Sequence, residues 1–278
     1  MEQIYKLKTG LPVAAAKGLE DRMRVHQAEG YYDLLSKGVA GIEAEVDRFA
    51  SGSEDPEVKE VRELLHYILY EPSSEKQYDN GIRDKGREGI RLQAFLDHPK
   101  AVQASLTKAE VVAIRLYTTL AYKFMNNPLR DDKRYDEQRP CPLPVTTHFA
   151  TQGARKLRAL YVDSGAITLW RGMRNLEVAD NFMEQGGTEL GFMSTTKDLT
   201  VAVRCCLSAH SLIFKLVSSN FMSMGADVQW LSAFPGEAEI LYPPLTYLSA
   251  TGRTESMSIE VGSETLSFTI VEVVPQLS

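Results

Sequence analysis

The sequence predicts an α+β protein with its helices first and its strands after, and a change in hydrophobic period carries that prediction. Tyr31, Leu34, Leu35 and Val39 share one face at helical spacing, as do Val61, Leu64, Leu65 and Ile68. Beyond about residue 160 apolar residues alternate instead, through Met257, Ile259 and Val261 and again through Leu266, Phe268 and Ile270. At 278 residues the chain can bury a sizeable core, as one large domain or two moderate ones.

Turn chemistry punctuates the helical part, which runs from about Glu20 to Leu160. Ser51-Gly52-Ser53-Glu54-Asp55-Pro56 is a polar turn, Glu71-Pro72-Ser73-Ser74 another, and Asp79-Asn80-Gly81 opens a connector that reaches Glu88 as exposed, charged surface. Arg83, Lys85, Arg87 and Arg91 alternate with acids and read as a solvated helical face. Thr107-Lys108-Ala109-Glu110 is a capping box, in which hydroxyl and carboxylate satisfy each other's exposed backbone donors. It launches an apolar stripe of Val112, Leu116, Leu120 and Phe124. Between Asp131 and Pro144 composition shifts to charge and proline, and Arg139-Pro140-Cys141-Pro142-Leu143-Pro144 cannot continue a helix, which marks a weak subdomain boundary. A last helix is expected near Phe149 to Leu160, then strands at Ile167 to Arg171, Gly191 to Thr195, Leu212 to Val217 and Ala238 to Leu241.

A net charge of −6 and a pI near 5.5 disfavour a nucleic-acid binder, because no basic field is present to displace phosphate counterions. Three cysteines cannot all pair, and Cys205 adjoins Cys206, so a reducing compartment is expected. Cys206 falls in helical step with Leu199, Ala202 and Val203, which reads as a small core residue. No metal site is indicated. Met1 to Gly10 lack a secretory signal and no apolar run reaches membrane-spanning length, so a soluble, cytosolic protein is expected. An effector delivered into a host cell by a specialised machine would look the same. His66 reads as a packing residue and His210 has no obvious partner; neither reads as catalytic.

The chemistry-bearing segments lie in the second half. They are Leu169-Trp170-Arg171-Gly172, Gly191-Phe192-Met193-Ser194-Thr195-Thr196, and Phe234-Pro235-Gly236-Glu237-Ala238-Glu239-Ile240-Leu241. In a strand, Glu237 and Glu239 project from the same face, and Ser194 and Thr196 share a face opposite Thr195. This ordered trio resembles the Arg–Ser–Glu class of mono-ADP-ribosyltransferases, which includes cholera-like and clostridial toxins and vertebrate ecto-enzymes. The likeness extends to Ala113 through Thr119 and the helix exit at Asn126-Asn127-Pro128-Leu129-Arg130. It continues in the central strand Ser211 to Leu216, the turn Trp230 to Phe234 and the closing strand Phe268 to Val274.

The resemblance implies a mostly antiparallel β-sandwich catalytic core over 106–278, with 1–105 a helical region for partner recognition and support. It implies NAD+ as substrate, a protein as acceptor and nicotinamide as leaving group. Arg171 would offer a planar fork to phosphate oxygens, and Gly172 close backbone approach to the nicotinamide amide. Ser194 would orient Glu239, which would hydrogen-bond the ribose and face the developing cation, as in glycoside cleavage. Thr195 and Thr196 complete the NAD+ contacts; Thr196 departs from the commoner Ser-Thr-Ser. Glu237 would orient or deprotonate the acceptor. Trp230 and Phe234 are either partner anchors or caps on the sandwich core. The acceptor implied is an arginine of a target protein or, from the likeness to CteC-type bacterial effectors, a threonine of ubiquitin. The alternatives are an NAD+ glycohydrolase and a non-catalytic binding module with a vestigial cleft.

Overall fold

The structure is a computed structural model that describes the chain apart from residues 1–7, 10–12, 80, 161–164, 177, 179–180, 209, 219, 262–263 and 277–278. Of the segments singled out above, Asn80 and most of Met1 to Gly10 therefore lie outside the described residues. Two compact units form. One comprises Lys17–Leu160 and Ala226–Gly236; the other comprises Met1–Ala16, Tyr161–Gly225 and Glu237–Ser278. The division falls after Leu160, not at the 105/106 boundary expected from sequence.

After strand β1 (Lys8–Thr9) come helices α1 (Val13–Met23), α2 (Tyr31–Ser36), α3 (Val39–Ala50) and α4 (Pro56–Tyr70). Helix α4 starts where the sequence asks it to. Asp55 accepts the Glu57 N–H at 2.9 Å and Pro56 takes the first turn, where its missing N–H costs nothing. The helical pattern is then interrupted by a hairpin of β2 (Lys76–Tyr78) and β3 (Gly81–Arg83). Pro72 and Gly81, both poor helix residues, favour this over the helix expected there.

Short helices α5 (Leu92–Leu96) and α6 (Pro99–Gln103) lead to α7 (Lys108–Leu116). The capping box of α7 forms as read, with Thr107 N–H on Glu110 at 2.7 Å and Glu110 N–H on the Thr107 hydroxyl at 3.3 Å. Every residue from Ala109 to Leu116 is buried, because α7 packs against α3, α4, α5 and a later helix, α10. That packing is why the first unit cannot end at residue 105. A π-turn at Tyr117–Ala121 then shifts the helical phase, so Val112 and Leu116 are fully buried while Leu120 and Phe124 are only partly so. Asn126 to Arg130, expected as an exit turn, are still helical as the end of α8 (Tyr122–Arg130). After α9 (Asp132–Asp136), helix α10 (Pro144–Arg158) starts five residues before Phe149. Its exposed donors are met from elsewhere in the fold: the Glu45 carboxylate accepts the N–H groups of Val145 at 2.7 Å and Thr146 at 2.9 Å.

The second unit is built on β4 (Ile167–Arg174), α11 (Phe182–Gln185), β5 (Gly187–Glu189), β6 (Met193–Thr196), α12 (Leu199–Cys206) and β7 (His210–Ser218). Beyond β8 (Ala226–Asp227), which clusters with the helices, it continues with β9 (Glu239–Tyr242), β10 (Thr246–Val261) and β11 (Glu264–Gln276). Within this unit the strands are ordered β1-β5-β10-β11-β7-β4-β6-β9. The pairing is antiparallel except between β7 and β11, which run parallel from Ser267↔His210 to Val273↔Leu216.

Alternation divides the sheet's side chains as the sequence period requires. Leu169, Met193, Phe214, Leu216, Ile240, Tyr242, Val271 and Val273 form the main core. Trp170, Cys206, Ile213 and Phe268 cluster on the side of α12. Cys206 is the buried core residue its spacing suggested. His66 is not: it is exposed, with a ring nitrogen 3.2 Å from Glu71. Arg83, Lys85, Arg87 and Arg91 form no helical face either. Arg83 is 5% exposed and lies over the rings of Tyr67 and Tyr78, while neighbouring Asp84 has no exposure at all.

At Gly172 a glycine is required by packing. A Cβ there would lie 2.0 Å from the Ala202 carbonyl oxygen of α12 and 2.9 Å from Cys206 Cβ. Backbone must move to admit a methyl group, so Gly172→Ala is expected to cost about 3 kcal/mol, the upper end for overpacking, measured as a lowered denaturant midpoint at unchanged slope.

Candidate functional site

Register sets the geometry of the site. Thr196 on β6 pairs with Trp170 on β4 and with Glu239 on β9, and Ser194 pairs with Leu241. Side chains paired across strands share a face, so Ser194, Thr196 and Glu239 stand together, with Ser194 diagonal to Glu239. Glu239 is 4% exposed. Ser194 is partly exposed. Thr195 points the other way: it is buried, and its hydroxyl donates to the Ile240 carbonyl at 2.7 Å. Its contribution is therefore to fix β6 against β9, not to supply a free hydroxyl.

The two acids are brought together differently from the expected strand face. β9 begins at Glu239; Glu237 closes a 3-10 turn, Pro235–Glu237. Between them Ala238 adopts φ 47°, a left-handed conformation uncommon for a residue with a side chain. Pleat alternation thus does not govern Glu237. Instead, Thr196 holds it, donating its hydroxyl to the Glu237 carbonyl at 2.7 Å while accepting the Asp198 N–H at 3.1 Å. The third hydroxyl of the cluster is a turn clamp, and threonine serves that purpose as well as serine.

Partial burial, and then the charge of Glu239, push the Glu237 carboxyl up to about 7. At neutral pH it is poised between proton donor and proton acceptor.

Arg171 does not make a surface ion pair. Its side chain is 16% exposed; Nη1 donates to the Ser194 carbonyl at 2.9 Å and Nη2 lies 3.6 Å from Glu189. Alternation along β4 sets Arg171 with Leu169 and Met173, whereas Thr196 and Glu239 go with Trp170. Arg171 accordingly reaches Ser194 through the backbone and tethers β6 to β4 just beyond their residue pair. Glu189, which sequence reasoning passed over, completes this anchor: it is buried, and also accepts the Gly191 N–H at 2.9 Å. The available signal is an acid two residues before the glycine that opens the hydroxyl segment. Gly172 is held by its packing on α12.

Trp230 and Phe234 belong to the helical unit. Trp230 is partly exposed, stacks on His98 at 4.2 Å and 12°, and donates its indole N–H to the Asp227 carbonyl at 3.1 Å. Phe234 is 9% exposed and meets Tyr78 edge-on at 6.1 Å. Phe234 is a packing residue of that unit rather than a cap on the sheet, leaving Trp230 as the ring with surface to offer. His210 opens β7, with a ring nitrogen 3.3 Å from the Ser267 hydroxyl, away from these groups in the strand order.

A carboxyl titration tests this electrostatic arrangement directly. Glu237 is expected to titrate near pH 7 by NMR, and in Glu239→Gln to titrate lower while staying above an ordinary carboxyl, because burial is the larger cause. A separate test concerns Arg171→Lys. One ammonium cannot hold both Ser194 and Glu189 in the geometry of a guanidinium fork, so amide exchange along β6 should accelerate while the core strands stay protected.

A family model described as NAD:arginine ADP-ribosyltransferase matches residues 60–265. Among solved structures, HopU1 of Pseudomonas syringae pv. tomato DC3000 is 16% identical, with 84% of this chain and 96% of that one covered and a TM-score of 0.47. The effector XopAI of Xanthomonas axonopodis pv. citri is 11% identical over 90% and 97%, with a TM-score of 0.46. Plx2a, a toxin of Paenibacillus larvae, is 17% identical over 62% and 88%, with a TM-score of 0.41. No match was found among curated proteins.

Proposed function

This chain belongs to the NAD:arginine ADP-ribosyltransferase family of NAD+-dependent mono-ADP-ribosyltransferases, and we propose that it transfers ADP-ribose to an arginine side chain of a protein through Glu239 and Glu237. The reading rests on one observation: a buried carboxylate, in register with a hydroxyl cluster, beside a second carboxyl raised to about 7.

In this reading Glu239 accepts a hydrogen bond from a ribose hydroxyl and its negative charge faces C1′ as the bond to nicotinamide breaks. Nicotinamide leaves with the bonding electrons and positive charge develops on the ribose, where a preorganised carboxylate is most effective. A guanidinium nitrogen then bonds to C1′, and its proton passes to the Glu237 carboxylate. Binding a cation beside Glu237 would lower its pKa and return it to the ionised form, which favours an arginine acceptor over a neutral threonine. Arg171 and Gly172 are assigned to the NAD+ end of the site, with Ser194 orienting Glu239 and Thr196 holding the turn. Partner recognition is assigned to the helical unit, since Trp230 and the whole segment Ala226–Gly236 cluster with it. Among the described residues no helix is long and apolar enough to cross a membrane.

The test uses labelled NAD+ with poly-L-arginine as acceptor, following label on polymer and release of nicotinamide together. Glu239→Ala should lower both by about 10²–10³-fold, the scale of losing a preorganised transition-state contact. Glu237→Gln should abolish transfer while slow hydrolysis continues. A carboxyl is charged above its pKa, so kcat/KM for the polymer, which reports the free enzyme, should fall about tenfold per unit as pH drops below 7. Release of nicotinamide without label on polymer in the wild type would favour a glycohydrolase, no turnover a binding module, and label on threonine of a target by fragmentation would overturn arginine.

A further inference from the structure

The segment between β8 and the turn that ends at Glu237 is held in an unusual way. From Gln229 to Ala233 the chain forms neither helix nor strand, so its carbonyls need partners from elsewhere or water. They find charged side chains of their own compact unit. Arg87 donates through Nη1 to the Ser232 carbonyl and through Nη2 to the Gln229 carbonyl at 2.7 Å. Arg115 donates to the Leu231 carbonyl at 3.0 Å. Ala233 is held at both ends of its residue: its N–H donates to the Thr118 hydroxyl at 2.9 Å, and its carbonyl accepts the Asp84 N–H at 2.7 Å.

These donors are themselves fixed. The Asp84 carboxylate accepts from Arg115 at 3.1 Å and from the Tyr67 hydroxyl at 2.6 Å, with Arg87 at 3.6 Å. Both guanidinium groups lie over the Phe95 ring, at 5.6 Å for Arg87 and 4.0 Å for Arg115. Thr118 sits in the π-turn that follows α7, three residues after Arg115, and donates to the Arg115 carbonyl at 2.8 Å. The end of α7 and the widened turn after it thus present an arginine and a hydroxyl to successive peptide groups of the same segment. Onward from Ala233, the Ser232 hydroxyl accepts the Phe234 N–H at 3.1 Å and the Gln229 amide donates to the Pro235 carbonyl at 3.0 Å, which brings the chain to Glu237.

We propose that Asp84, Arg87, Arg115 and Thr118 form a cradle for the backbone of residues 229–233, and that Arg87 is a positioning residue which sets how Trp230 meets the acceptor. The proposal rests on the reading of the chain as a transferase with a protein acceptor. It also gives the basic connector a different role from the exposed partner surface expected from sequence: Arg87 is 12% exposed at its side chain and faces the protein's own backbone.

Asp84 and Arg115 are too deeply buried for informative variants, so the test uses Arg87→Met, which keeps an apolar stem over Phe95, and Thr118→Val, which removes one hydroxyl at constant shape. In the full chain with NAD+ and poly-L-arginine, Arg87→Met should lower the ratio of labelled polymer to released nicotinamide at least tenfold. The KM for polymer should rise and that for NAD+ should not, with Arg87→Lys recovering part of the ratio. Amide exchange at Ala233 should accelerate in Thr118→Val. Parallel loss of both activities, or an unchanged ratio, would overturn the positioning role, and unchanged exchange at Ala233 would overturn the cradle. A wild-type chain that releases nicotinamide but labels no polymer would instead overturn the reading as an arginine transferase, with the exchange measurement still deciding the cradle.

Discussion

The pairing of β6 between β4 and β9 is the constraint on which the proposed site depends. Thr196 stands opposite Trp170 on one side and Glu239 on the other. Because side chains alternate with a period of two, a slip of one residue in this strand would send Ser194 and Thr196 into the core and Thr195 to the site. Such a slip is opposed at several points: Met193 belongs to the main core, Thr195 bonds the Ile240 carbonyl, and Arg171 grips the Ser194 carbonyl. The groups that lock the register are thus largely distinct from Ser194 and Glu239.

Buried charge is the second organising cost. Asp84, Arg115, Glu189 and Glu239 are each within 4% of complete burial by residue exposure. Removing one member of a buried, hydrogen-bonded pair such as Asp84 and Arg115 leaves a charge without compensation, at about 3–5 kcal/mol. Such networks are weak devices for stability but strong ones for fixing a single geometry. Asp84 has a backbone to order, Glu189 an arginine, and both serve segments of the chain that lack regular secondary structure or sit at its ends. Glu237 differs in that its environment disfavours its charge, a tension that a cationic acceptor would relieve.

The sequence by itself determined the α+β order, the capping box at Thr107 and Glu110, the alternating strands, the buried Cys206 and the segments that carry Arg171, Ser194 and Glu239. Each is a local matter, set by hydrophobic period, turn residues or a short motif, and so is visible in a few neighbouring positions. Tertiary structure decided the rest, because it depends on residues far apart in the chain. It drew Ala226–Gly236 into the helical unit and moved the unit boundary past α10. It buried Arg83 and partly buried Arg87, whose mixed-charge neighbourhood reads as solvated surface, because cations on aromatic rings and distant carbonyls leave no periodic trace. It placed Glu237 in a turn instead of a strand, through a left-handed Ala238 and a hydroxyl 41 residues away in sequence. Spacing of two residues fixes a common face only while both lie in one strand, and whether they do is decided by what the chain packs against.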